Sequence, residues 1–250
     1  MSFYMDSDRG NVRQNNEDSF LFEQFEKLNI LILADGVGGH EDGEIASGYA
    51  VNIVMEYIKS NYKLYPDYLH LLVDAFCEAN KVIYEINLEK NSGENKISNR
   101  LMGTTLEVLL FDRDVLYFGH VGDSRIYIKD DNFRLLTKDH SLVQYLYSSG
   151  ALTEEEVKNY NDKNSILRAI GMEKHVEVDV SSVRIKPKDI ILVCSDGLTN
   201  ELDDDKISEM LDFKYSAKEM VDNIISTVKN GLARDNVTVG IFKNDEEIIC

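Results

Sequence analysis

The chain has 250 residues, 43% of them hydrophobic, and a formal net charge of -18. That share of apolar residues supports a substantial core, and the acidity disfavours phosphate backbones and anionic lipid, so neither nucleic acid nor a membrane surface is expected as a partner. No repeated, low-complexity or Gly/Ser-rich stretch interrupts the sequence and its two prolines, Pro66 and Pro187, lie far apart, which favours one domain over residues 1–250.

Strand patterns run first over residues 19–23 and 29–34, joined near Lys27-Leu28 as in a meander. From Glu44 the period changes: Ala46, Tyr49, Ala50, Ile53, Val54, Tyr57 and Ile58 recur at helical spacing. A second helix is predicted over 68–87, with Leu72, Ala75, Phe76, Ala79, Ile83 and Ile86 as its apolar stripe. Strand patterns return over 104–111, 115–121, 125–129 and 133–137, with Asp112-Arg113-Asp114 and Asp130-Asp131-Asn132 as turns. Connections this short imply antiparallel pairing of consecutive strands, because a parallel crossover needs about a dozen residues or more. A doubly wound nucleotide-binding fold is thereby excluded.

A polar helical stretch lies between Ser141 and Asn161, followed by strands over 176–185 and 190–195 and helices over 204–211 and 217–229. The last helix has a Ser216/Glu219 capping box at its start and Gly231 just past its end, and residues 237–242 supply a closing strand. Antiparallel strands punctuated by paired amphipathic helices predict an α+β fold, a four-layer α-β-β-α sandwich of two antiparallel sheets flanked by helices. Cys77, Cys194 and Cys250 show no paired spacing, the start of the chain lacks the basic flank and apolar core of a signal peptide, and no later run is long enough to span a bilayer. A cytoplasmic monomer is expected.

Acidic residues stand where apolar runs give way to turns. Glu17-Asp18, Asp35-Gly36, Asp196-Gly197 and Asp235-Asn236 are four such patches, and Gly122-Asp123 is a fifth. Asp35 closes the run from Ile30, Asp123 the run from Leu116, and Asp196 the run from Ile190, so each reads as a carboxylate held at the end of a buried strand. Carboxylates gathered without a counter-charge repel one another and raise each other's pKa values, so a hard divalent cation is their natural companion. This is the pattern of a metal-dependent hydrolase; the remaining acidity serves solubility.

Ser7-Asp8-Arg9-Gly10, Arg13-Gln14-Asn15-Asn16-Glu17-Asp18, Asp35-Gly36-Val37-Gly38-Gly39-His40, Met102-Gly103-Thr104-Thr105, Gly122-Asp123-Ser124-Arg125, Ser195-Asp196-Gly197-Leu198 and Asp235-Asn236-Val237-Thr238 occur in that order. A single Asp-Gly is a common turn, but the ordered set resembles the metal-dependent protein phosphatases (PPM), the type 2C class, in their bacterial stand-alone form. The resemblance implies that Asp35 bridges two Mn²⁺ or Mg²⁺ ions, that Asp196 and Asp235 hold one of them, and that the Gly36 carbonyl touches the other. Most other ligands would be water, and the hydroxide shared by the ions would attack the substrate phosphorus directly. Asp123 matches the ligand of a third, looser ion, Arg13 the phosphate-binding arginine, Asp18 the residue that orients a metal-bound water, and His40 a histidine that assists the leaving group. Read without the resemblance, these four are a surface arginine, a strand-start turn, a residue shaping the Gly38-Gly39 turn in the case of His40, and a solvated turn aspartate in the case of Asp123.

Gly103-Thr104-Thr105 is expected to serve packing or backbone geometry, and the segment 139–171 corresponds to the flap beside the site in bacterial relatives. Val37 replaces a more usual methionine and Ala233-Arg234 a more glycine-rich stretch; neither touches an implied ligand. The function implied is a serine/threonine phosphoprotein phosphatase acting on phosphoserine and phosphothreonine proteins, with a cognate Ser/Thr protein kinase as its counterpart. Two alternatives stay open at this stage: a pseudophosphatase binding module that keeps the fold without turnover, and a dedicated phosphatase of a sigma-factor regulatory cascade.

Overall fold

The computed structural model of the chain describes residues 2–37, 41–91, 101–158, 160 and 165–245. Strand β1 (Ser2–Asp8) is followed by β2 (Asp18–Phe25), β3 (Leu28–Val37), helices α1 (Glu41–Asn61) and α2 (Tyr68–Asn91), and strands β4 (Gly103–Thr104), β5 (Leu106–Asp112), β6 (Val115–Val121), β7 (Arg125–Lys129) and β8 (Phe133–Leu135). Then come α3 (Leu142–Ser148), α4 (Glu154–Lys158), β9 (Asp179–Arg184), β10 (Ile190–Cys194), α5 (Asp196–Thr199), α6 (Asp204–Met210), α7 (Ala217–Asn230) and β11 (Val237–Lys243). One sheet has the order β1-β11-β10-β7-β8 and the other β2-β3-β5-β6-β9, with the short β4 on β3. Every pairing is antiparallel. The expected four-layer sandwich is the fold.

The side-chain period of two explains the layers. On β3, Leu31 and Leu33 point between the sheets, where they meet Met5, Ile126, Ile191, Val193 and Phe242 of the opposite sheet. Their neighbours Ile30, Ile32 and Ala34 point the other way, onto α1 and α2. A strand covered on both faces must be apolar throughout, which is why residues 28–34 read as a nearly continuous hydrophobic run; each fully buried Leu or Ile contributes about 1.5–3 kcal/mol. On the far side, α7 lays Met220, Val221, Ile224 and Val228 against Leu192, Val239 and Ile241. The rings of Phe111 and Phe242 stack between the sheets at 4.0 Å, and those of Phe3 and Phe22 at 3.9 Å. The predicted capping box of α7 is present: Ser216 Oγ accepts from Glu219 N, and the Glu219 carboxylate accepts from Ser216 N.

Two expectations need correction. The first strand is β1, not the segment beginning at Ser19; β1 is an edge strand in which only Met5 is fully buried, so its sequence lacks a clear apolar alternation. Strands β6 and β7, though consecutive and only three residues apart, do not pair. The link Gly122-Asp123-Ser124 carries the chain from one sheet to the other, with Gly122 at φ +124°. A sheet-crossing turn and a hairpin turn have the same length, so spacing alone does not separate them.

The crossing matters because it places Asp123 at the end of the sandwich where other strand ends collect. Asp18 faces Asp35 in the register of one sheet, and in the other Cys194 faces both Val239 and Arg125. The segment 139–171 leaves this same end, carries α3 and α4, and returns through bridges Ser141↔Ile166 and Thr104↔Ile170. Among the described residues, no helix is long and apolar enough to cross a membrane.

Candidate active site

Asp35 sits near the end of β3, where two threonines fix its backbone. Its N–H donates to Thr105 Oγ1 at 2.9 Å, and its carbonyl accepts from Thr104 Oγ1 at 2.9 Å and Thr105 N at 2.8 Å. The Gly103-Thr104-Thr105 stretch thus does the backbone work expected of it. Gly36 follows in a place where a Cβ would collide with the Gly43 carbonyl, so glycine is required by close approach. Asp196 opens the short α5 directly after β10, its Oδ2 accepting from Asn200 Nδ2 at 2.9 Å. Asp35 and Asp196, more than 150 positions apart in the 250-residue chain, thus line the same cleft.

Asp235 and Arg13 meet at the mouth. Arg13 Nη2 donates to Asp235 Oδ2 at 2.6 Å, with the Arg13 side chain 47% exposed. Next to Asp235, Asn236 ties the loop between β1 and β2 to this end of the molecule: its Nδ2 donates to the carbonyls of Arg9 and Asn15, both at 2.9 Å, and its Oδ1 accepts from Glu17 N at 2.8 Å. Asp18 bridges the two sheets, its Oδ2 accepting from Ser195 Oγ at 2.8 Å and Thr238 Oγ1 at 2.6 Å. Asp123, the middle residue of the sheet-crossing turn, is buried.

Together Arg13, Asp35, Gly36, Asp123, Asp196 and Asp235 line one cleft of about 210 Å³. Asp18 stands behind it, near enough for its charge to act on Asp35. Glu17 lines it too; the sequence placed Glu17 in an acidic pair but gave it no role, and its position follows from the Asn236 bond that anchors its amide. His40 lies outside the described residues. Arg125, the last residue of the Gly-Asp-Ser-Arg motif, turns away from the cleft and forms a bidentate pair with Asp139, Nε to Oδ1 at 2.9 Å and Nη2 to Oδ2 at 2.7 Å. Cys194 is fully buried and burial pushes its thiol far up, which removes it as a nucleophile.

The electrostatics are those of crowded, desolvated acids. Burial first, then the charges of Asp18, Asp196, Asp123 and Asp235, hold Asp35 well above the usual carboxylate range. Burial also raises Asp18 to about 7 against the two hydroxyl bonds that lower it, Asp123 to about 8, and Asp196 to about 6. Oδ1 of Asp18 and Oδ1 of Asp123 are buried without a hydrogen-bond partner among the described residues. Unsatisfied carboxylate oxygens are costly unless something positive joins them. Among the described residues no three His, Cys, Asp or Glu side chains close tightly enough to enclose an ion unaided. An all-oxygen donor set with spaced carboxylates suits hard cations that keep much of their water, as Mg²⁺ does.

Comparison with known proteins agrees with this geometry. A family model described as protein phosphatase 2C matches residues 9–233. The serine/threonine phosphatase stp of Listeria innocua is 37% identical over 238 residues, covering 93% of this chain and 92% of its own. Among solved structures, the S. agalactiae serine/threonine phosphatase has a TM-score of 0.83 at 31% identity, covering 97% of this chain and 99% of that one. The catalytic domain of the serine/threonine protein phosphatase PstP in complex with two manganese ions has a TM-score of 0.79 at 34% identity, with 96% of each chain covered. From the matched span and these full-length likenesses, the chain belongs to the protein phosphatase 2C family.

Proposed function

We propose that this serine/threonine protein phosphatase works with two divalent cations, Mn²⁺ or Mg²⁺, at the acidic end of the sandwich. Asp35 would bridge them, Asp196 and Asp235 would hold one, the Gly36 carbonyl would hold the other, and Asp123 would take a third, looser ion. When bound, such ions polarise phosphoryl oxygens and bring the pKa of coordinated water down towards neutrality. The PstP neighbour with two manganese ions supports the choice of metal.

The other tasks fall to the chain's own groups. Arg13 stands at the cleft mouth with a half-exposed guanidinium, so donors not engaged by Asp235 can grip the non-bridging oxygens of a phosphoryl group. Asp18 keeps Oδ1 open while Oδ2 is held by Ser195 and Thr238, an arrangement suited to orienting a water. Ile166, from the 139–171 segment, reaches the cleft wall, and a groove of about 630 Å³ adjoins it past Val37, Arg168 and Met172. That groove gives the polypeptide on either side of a phosphoserine or phosphothreonine a place to lie, with the 139–171 segment as a flap over it. A Ser/Thr protein kinase in the same compartment would supply the substrate.

One observation carries the proposal: four aspartates from distant stretches, Asp35, Asp123, Asp196 and Asp235, line a single cleft, in which burial first and then neighbouring charges raise the proton affinities of Asp35, Asp123 and Asp196. Hydrolysis of a phosphothreonine peptide in Mn²⁺, repeated after chelation and with Asp35→Ala or Asp196→Ala, tests it. Activity should vanish in all three; activity that persists without the metal or these carboxylates would end the two-ion reading.

A further inference from the structure

His140 has no role in the chemistry above, yet it holds the residue beside Asp123 through two hydrogen bonds. Its backbone N–H donates to the Gly122 carbonyl at 2.7 Å, while its ring Nδ1 accepts from the Gly122 N–H at 3.0 Å. Both backbone groups of one residue are thus held by one partner, on the residue just before Asp123. Gly122 has φ +124° and a Cβ there would collide with Thr105, so the turn has little freedom to find another shape.

The ring itself is locked in place. Because Nδ1 accepts, the proton sits on Nε2, which faces Asp179 Oδ2 at 3.3 Å. Arg168 Nη1 lies 3.0 Å from the same nitrogen and donates instead to Asp179 Oδ1 at 2.9 Å. On its other side the ring packs against His120 at 4.5 Å between centroids. His120 reaches Lys138 O through Nε2 at 2.9 Å and Glu107 Oε1 through Nδ1 at 2.8 Å, the latter pair lying opposite each other on β5 and β6 and fully buried. Burial keeps the His140 imidazole neutral down to about 4, so its acceptor is available throughout the working range.

His140 also belongs to the base of the 139–171 segment. Its carbonyl accepts from Leu167 N at 2.7 Å, Asp139 before it pairs with Arg125, and Ser141 after it caps α3. We propose that His140 is a positioning residue for the phosphatase reaction: by clamping both backbone groups of Gly122 it aims Asp123 into the cleft and links that aim to the seating of the 139–171 segment. The inference rests on the reading of Asp123 as a working cleft carboxylate. An apolar residue at 140 would leave the Gly122 N–H without its partner and free the turn.

The test is a double-mutant cycle between His140→Ala and Asp123→Asn, with phosphopeptide turnover followed as Mn²⁺ is titrated. His140→Ala should lower activity by about ten- to a hundredfold and raise the half-saturating Mn²⁺, as loss of supporting contacts around metal ligands does. In the Asp123→Asn background the same change should add little. Asn places its side-chain oxygen where Nδ1 stood, so His140→Asn should recover most of the loss, whereas His140→Gln should not. Amide exchange at Gly122, measured in chelated protein, should quicken in the Ala and Gln variants only. If His140→Ala fails to fold, the Asn and Gln pair carries the test. Equal behaviour of Asn and Gln, full turnover in His140→Ala, or effects that multiply with Asp123→Asn would overturn the inference alone. Full turnover in Asp123→Asn would overturn it together with the reading of Asp123.

Discussion

Asp18 and Asp35 stand directly opposite each other in the antiparallel register of β2 and β3. Like charges in that position destabilise a sheet, and here burial and the neighbouring charges of Asp196 and Asp235 add to the cost. The arrangement persists because the ladder is anchored elsewhere: Asp18 by Ser195 and Thr238, Asp35 by Thr104 and Thr105. Rigid carboxylates without their own cations are what a cation-binding end of a sheet requires.

Asp18→Asn should therefore stabilise the chelated protein while weakening the enzyme. The amide oxygen can still accept from Ser195 and Thr238, and the opposed negative charge is gone. A gain of about 1 kcal/mol at pH 8, equivalent to roughly 2–4 °C in melting temperature for a chain of this size, is expected, with a fall in phosphopeptide turnover. A lower melting temperature at pH 8 would show that the charge is not the dominant cost.

The same acids set a pH dependence. In the folded state Asp196 binds its proton with a pKa of about 6, Asp18 about 7 and Asp123 about 8, each raised mainly by burial from 3.8. Glu107, buried against His120, is likewise raised to about 7. The folded protein thus holds more protons than the unfolded chain between these values, and the sign of the linkage makes stability fall as pH rises. His140 opposes this with one group, its pKa being lowered. In chelator, the urea midpoint should decline between pH 5 and pH 8; a flat or rising profile would contradict the burial of these acids.

Much of this was legible in sequence, for reasons that differ by element. Helices α1, α2 and α7 bury one broad stripe each, so their periodicity stands out, and β3 and β10 are covered on both faces, so they read as apolar runs. Strand β1 escaped because an edge strand is held by its ladder to β11 rather than by an apolar face. Asp35, Asp123 and Asp196 are legible as acids at or near the ends of apolar runs, but their meeting with one another and with Asp235 depends on which loops change sheet, and that is a property of topology. Asn236 and His140 were missed as supports because hydrogen bonds to distant backbone leave no local pattern.

Divalent cations should raise the stability of the protein in the range where the acids are deprotonated. Binding to the folded state alone contributes about 2.7 kcal/mol when the free ion is at a hundred times its dissociation constant. Melting temperature at pH 8 should rise with Mn²⁺ in the wild type and rise much less in Asp35→Asn, whose carboxylate lies at the centre of the cluster. An unchanged melting temperature at saturating Mn²⁺ would argue that no ion site exists in the folded state. A cation replacing bound protons should also flatten the pH decline seen in chelator.

Among the described residues the Arg13 side chain pairs with Asp235 and its guanidinium is half exposed, so its loss should hardly disturb the fold. Its contribution should appear in the capture of the phosphoryl group. Removing a charge-assisted hydrogen-bonding group of about 1.5–3 kcal/mol corresponds to roughly a 10- to 150-fold loss in kcat/KM for a phosphopeptide. Arg13→Lys keeps the charge but not the planar fork, and should recover only part of that loss. If the arginine binds substrate and transition state alike, the change falls mainly on KM; if it meets only the transition state, kcat falls with kcat/KM. An Arg13→Ala enzyme with unaltered kcat/KM and melting temperature would make Arg13 the surface arginine that its exposure alone implies.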